Sequence, residues 1–171
     1  MKQIRILIFN LSSLCIIGIV LFTFSCKAQT IDSRNCKEFK DLKNKVYKKE
    51  CYKGSNLTKM FYVDSTGKSQ EVCVKPEKEA NIFSSELEFT SFVKNNLEWP
   101  TDRDIEGKVY FALLIDEQGN VIEKRVLKGI DTCPECIITA SSLIKKLGKW
   151  QPAFYLNKPV KSIRYIAIPF K

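Results

Sequence analysis

The sequence predicts an α+β fold: a small antiparallel β-sheet with a covering helix, a ββαβ core preceded by a further helix. Three observations predict it. From Gly107 to Ile115 the apolar period is two, with Val109, Phe111, Leu113 and Ile115 on one face and Tyr110, Ala112 and Leu114 on the other. The turn Asp116-Glu117-Gln118-Gly119-Asn120, whose glycine tolerates positive φ, leads into a partner run from Val121 to Lys128. Ile137, Ile144 and Leu147 then recur at helical spacing, before a last strand over residues 160–168.

The boundaries of these elements carry their own signals. Ser85-x-x-Glu88 is a capping box that opens the first helix, where Phe89, Phe92, Val93 and Leu97 form one apolar stripe. Pro100 closes it, because a residue before proline is pushed out of the α region. Thr132-x-x-Glu135 reads as a second capping box, with Pro134 in the first turn and Gly148 at the C-terminal stop. Leu156-Asn157-Lys158-Pro159 turns the chain into the last strand.

Upstream, Phe39, Leu42 and Val46 among lysines predict an amphipathic helix over residues 37–50. Residues 57–63 and 70–75, joined by Asp64-Ser65-Thr66-Gly67, suggest a hairpin, and residues 76–79 a linker. The expected organisation is therefore a signal segment over 1–25, a basic segment over 26–80 and a C-terminal domain over 81–171.

The net charge of +9 is uneven. Residues 81–171 carry thirteen basic and eleven acidic side chains, whereas residues 26–80 carry thirteen and eight. The surplus reads as a solvated face, or as attraction to anionic lipid or cell-wall polymer, and no nucleic-acid motif accompanies it. The chain has no histidine, which excludes His-based acid–base catalysis, Ser-His and Cys-His dyads and His-containing metal sites. No catalytic residue, metal or cofactor is expected.

Lys2 and Arg5 precede an apolar core strongest from Leu14 to Phe24, the pattern of a signal peptide. It ends at Thr23-Phe24-Ser25-Cys26, which resembles the lipobox of bacterial lipoproteins and makes Cys26 the candidate for lipidation. Cleavage after Ala28 and an uncleaved anchor are the alternatives; all three place the folded part outside the cytoplasm, on the periplasmic side of an envelope. Disulfides persist there. Of the remaining cysteines, Cys36 and Cys51 would lie roughly 20 Å apart on a continuous helix, so Cys73 is the more plausible partner of either. Cys133-Pro134-Glu135-Cys136 reads as a local disulfide or buried thiols, with a redox pair or metal site as alternatives.

One family joins these tokens in order. Trp99-Pro100, Ile105-Glu106-Gly107-Lys108-Val109, Ile115-Asp116-x-x-Gly119-x-Val121, a helix, Trp150-x-Pro152 and Lys158-Pro159-Val160 before an Ile-Pro-Phe ending together resemble the TonB C-terminal domain. The resemblance covers about half the chain. It implies a binding module that adds a segment of an outer-membrane transporter, or of another envelope protein, to its last strand. Carried onto this chain, that strand is Val160, Lys161, Ser162, Ile163, Arg164, Tyr165 and Ile166, with Arg164 and Tyr165 as side-chain contacts.

The resemblance stops short of the energy transducer, which keeps an uncleaved anchor and a long Pro-rich linker. Between Cys26 and Glu86 there is only Pro76, and that length as flexible coil reaches about 45 Å, against roughly 190 Å as polyproline. An envelope scaffold protein and a CxxC thiol oxidoreductase are the other function classes, and an odd cysteine leaves a homodimer open.

Overall fold

A computed structural model describes residues 35–100 and 104–171. These fall within one compact unit, Asp32–Lys171. The described residues form a mixed α+β arrangement of three antiparallel sheets and two helices. Strands β1 (Cys36–Lys40), β2 (Val46–Lys53), β3 (Asn56–Val63) and β4 (Ser69–Val72) make a meander in chain order. Helix α1 (Glu86–Asn96) follows. Next come β5 (Gly107–Ile115), β6 (Val121–Lys128) and α2 (Glu135–Lys146). A short hairpin, β7 (Ala153–Tyr155) and β8 (Lys158–Val160), precedes β9 (Ser162–Phe170). The second sheet has the order β6-β5-β9.

Strand β5 organises the core because both of its faces are covered. Val109, Phe111, Leu113 and Ile115 join Cys133, Cys136, Ala140, Leu143, Ile168 and Phe170 in the larger core. Ala112 and Leu114, on the opposite face, meet Tyr47, Tyr62, Val72 and Ile163 in a second core. The alternation legible in the sequence thus sorts side chains between two different layers. Each large apolar side chain so buried contributes about 1.5–3 kcal/mol.

The stretch expected to be an amphipathic helix over 37–50 is instead β1, a turn and β2. Asp41 makes the turn: its Oδ1 accepts the N–H groups of Lys43 and Lys45, each at 2.9 Å, and Asn44 takes φ 59°. Such Asx geometry competes locally with helix. The correction extends to the cysteines. Cys36 and Cys51 are register partners across β1 and β2 with Cα atoms 4.0 Å apart, and they form a disulfide. Cys73, expected to pair with one of them, is the free cysteine among the described residues.

This meander packs on the outer face of the second sheet. Leu42 N–H donates to Val126 C=O of β6 at 2.9 Å. Arg125 reaches across the layers, with Nη1 3.1 Å from Asp41 Oδ2 and Nη2 3.4 Å from Val63 C=O. The stretch read as a linker is also paired: Glu77 N–H donates to Phe154 C=O at 2.8 Å, and Lys78 bridges to Phe154.

At α1, Ser85 accepts from Glu88 N–H at 3.2 Å as expected, but the Glu88 carboxylate returns to Ser84 rather than Ser85. The second capping box does not form. Helix α2 begins after Pro134 with no side-chain cap, and the Cys133–Cys136 disulfide closes its first turn. The last strand is split as well, since β8 ends at Val160 and β9 starts at Ser162.

Candidate functional site

Strand β9 pairs with β5 over its full length, from Gly107↔Phe170 to Ile115↔Ser162. Among the described residues it has no partner strand on its other side, so it is an edge of the second sheet. Proline is tolerated in a strand where its missing N–H faces away from the neighbour. Antiparallel backbone alternates in the direction it presents, so Tyr165 and Ala167 share the outward orientation of Pro169. Lys161 has the same parity, and its C=O already accepts the Cys73 N–H at 2.9 Å. Beyond that bond the outward backbone of β9 faces a groove.

The groove has a volume of about 530 Å³. Arg164, Tyr165, Ile166, Ala167 and Pro169 form one wall; residues 81–86 with Phe89 and Thr90 form the other. Local sequence sets the second wall. Asn81 N–H and C=O pair with Gln151, which fixes the approach to α1. Phe83 then packs against Phe89 and Phe92, with ring centroids 5.4 and 5.3 Å away. Ser84 donates its N–H and hydroxyl to Glu88, at 2.8 and 2.6 Å, and this side-chain bond holds the Glu88 carboxyl below its ordinary range. The result is a channel beside an open strand edge, lined by Phe83, Phe89 and Ile166 together with the charged side chains of Glu86, Lys108, Arg164 and Lys171.

Only part of the expected binding strand faces this channel. Val160 belongs to β8, and Lys161 is tied to Gln70 through its Nζ at 2.9 Å. Ser162 and Ile163 are buried, Ile163 in the second core. Arg164, Tyr165 and Ile166 line the channel, and Tyr165 is 47% exposed. Pro169 and the α1 wall lie outside the strand expected over 160–168; Ile168-Pro169-Phe170 was the available signal, because proline in a strand marks an edge.

The other expected sites separate cleanly. Cys133 and Cys136 are disulfide-bonded and fully buried, so in this conformation no thiol partner reaches them. No cluster of metal-ligating side chains occurs among the described residues. Cys26 lies outside the described residues. Comparison of the chain with protein-family models, characterised proteins and solved structures finds no match.

Proposed function

We propose that this is an exported, non-enzymatic, TonB C-terminal-like binding module that accepts an extended segment of an envelope partner, such as an outer-membrane transporter, along β9. The observation that carries the reading is the open edge of β9 beside its groove. Strand addition takes its affinity from backbone hydrogen bonds and its selectivity from flanking pockets. The channel supplies both, with outward backbone at Tyr165 and Ala167 and the apolar side chains of Phe83, Phe89 and Ile166. Element order supports the family resemblance: a helix, a hairpin, a helix and a last strand returning beside the first strand of that hairpin.

A static role fits this chain better than transmission of force. Much of the stretch between Cys26 and Glu86 that would have to serve as a spacer is the β1–β4 sheet, packed on the same unit. A thiol oxidoreductase is disfavoured by the burial of Cys133 and Cys136.

The test removes one outward N–H without touching the core. Ile163→Pro is unsuitable because Ile163 is buried. Ala167→Pro keeps the β5 ladder, since the lost N–H points away from it. Its binding to a transporter-derived or other extended envelope peptide, measured by fluorescence anisotropy, is expected to weaken about tenfold or more, from a lost hydrogen bond plus ring clash. Unchanged affinity with unchanged circular dichroism rules out strand addition at β9.

A further inference from the structure

The sheet has a second edge, at β6, and its surface chemistry differs from that of β9. A groove of about 640 Å³ runs between β6 and the C-terminal half of α2. Three lysines line it, Lys124, Lys145 and Lys149, and Glu123 is the single carboxylate among its lining residues. The Glu123 carboxylate is turned toward Arg125, with Oε1 3.8 Å from Nε. Lys124 Nζ donates to Ser141 C=O at 3.0 Å, so it is anchored to the helix without a counter-ion. Its pKa is lowered, first by burial and then by the charge of Lys145.

Ile122 of β6 lines the same groove, and further exposed aliphatic side chains lie on α2 and the turn that meets β6. Ile122 on β6 is 44% exposed, and Ile138 on α2 is 69% exposed. Ser141 faces Lys124, and Ile138 and Lys145 sit three residues before it and four after, on the same stripe of the helix. Leu42, also exposed, is held at this edge by its N–H bond to Val126. Asp116 is occupied in its own turn by Gln118 and Asn120, and Lys146 is paired with Glu98. A groove with three lysines and one carboxylate, with exposed isoleucines on the two elements that form it, matches a surface that is anionic outside and apolar beneath.

We propose that the β6–α2 edge docks the module onto an anionic phospholipid bilayer, with the lysines among headgroups and Ile122 and Ile138 at the acyl boundary. The strand order β6-β5-β9 puts the open β9 edge on the far side of the sheet, turned away from the membrane. Docking thereby leaves the proposed partner groove accessible, although it does not depend on that groove binding anything. The tether expected at Cys26 and this edge would act together.

The test uses the Asp32–Lys171 unit, because both cores are built entirely from its residues and the tether is absent. Sedimentation is measured with vesicles of phosphatidylglycerol and phosphatidylcholine, and with phosphatidylcholine alone. Binding is expected only to the anionic vesicles and is expected to be lost at high salt. Near an anionic surface each lysine is worth about a fivefold change in partition, so replacing Lys124, Lys145 and Lys149 with Gln should weaken binding on the order of a hundredfold. Ile138→Ser should weaken it several-fold at unchanged charge.

A charge-matched control replaces Lys53, Lys68 and Lys75, exposed on the opposite sheet and its loops, and should change binding far less. Equal losses in the two triple variants would show diffuse attraction and overturn the proposal, as would no binding to anionic vesicles. Competition by an acidic peptide that leaves vesicle binding insensitive to Ile138→Ser would assign the edge to a protein partner and also overturn it.

Discussion

Breaking the Asp41–Arg125 pair should unfold much more than a surface turn. The Asp41 and Arg125 side chains are only 5% and 10% exposed, and their contact is 3.1 Å long. Removing one partner of a buried pair leaves the other charge uncompensated, which costs about 3–5 kcal/mol. Asp41→Ala also deprives the N–H groups of Lys43 and Lys45 of their acceptor, whereas Asp41→Asn keeps that amide geometry and isolates the charge. The remaining guanidinium contacts, Val63 C=O at 3.4 Å and Glu123 at 3.8 Å, are too long to compensate fully.

With a urea m-value of about 2 kcal/mol/M, the Asp41→Ala midpoint should fall by about 2 M. Asp41→Asn should fall less, and a cycle with Arg125→Met should show coupling of about 1–3 kcal/mol. Tryptophan fluorescence and far-ultraviolet circular dichroism are to be followed together. Because the pair ties the meander to β6, the two signals should move as one transition. A midpoint shift below about 0.3 M for Asp41→Ala, or an early transition confined to the β1–β4 sheet, refutes the view that the meander is an integral layer.

Four further outcomes follow from local features of the structure. Gly119 has φ 84°, and a Cβ there would lie 1.9 Å from the Trp150 carbonyl oxygen, so Gly119→Ala should cost about 2–4 kcal/mol in chemical denaturation. Gly67→Ala, at φ 89° with open space around it, should cost only about 1 kcal/mol. Replacing Cys36 and Cys51 with Ser opens a loop of sequence separation 15 and should lower stability by about 3 kcal/mol; an oxidised wild type no more stable than the variant would contradict this. Burial pushes the Tyr62 phenol above its ordinary value of 10.0, so above that pH the folded state holds a proton the unfolded state has lost. Stability should therefore fall as pH rises past 10, and less steeply in Tyr62→Phe, as read from urea midpoints between pH 8 and 12.

How much was legible depended on whether a pattern had one physical meaning. The alternation of β5 was unambiguous, because Phe111, Leu113 and Ile115 cannot share a face except as a strand. The spacing of Phe39, Leu42 and Val46 was ambiguous: it fits a helix, but it also fits two strands about a turn. Asp41 and Asn44 are the local signal for the turn, and the lysine-rich amphipathic pattern does not display it. Strand pairing with β3 then decided the matter, which no local propensity encodes. The same error hid the Cys36–Cys51 bond, since a helix puts those residues far apart and a hairpin puts them face to face.

By itself the chain determined α1, the β5–β6 hairpin and α2, that β5 has two apolar faces, and that Ser85 caps α1. These are local properties, set by side-chain period, turn chemistry and backbone sterics within a few residues. Only the tertiary structure decided that the meander covers one face of β5, that Asp41 meets Arg125 eighty-four residues away, and which half of the last strand stays open. Those outcomes turn on which surfaces bury one another and which strand is left without a neighbour, and such choices are made between segments far apart in sequence.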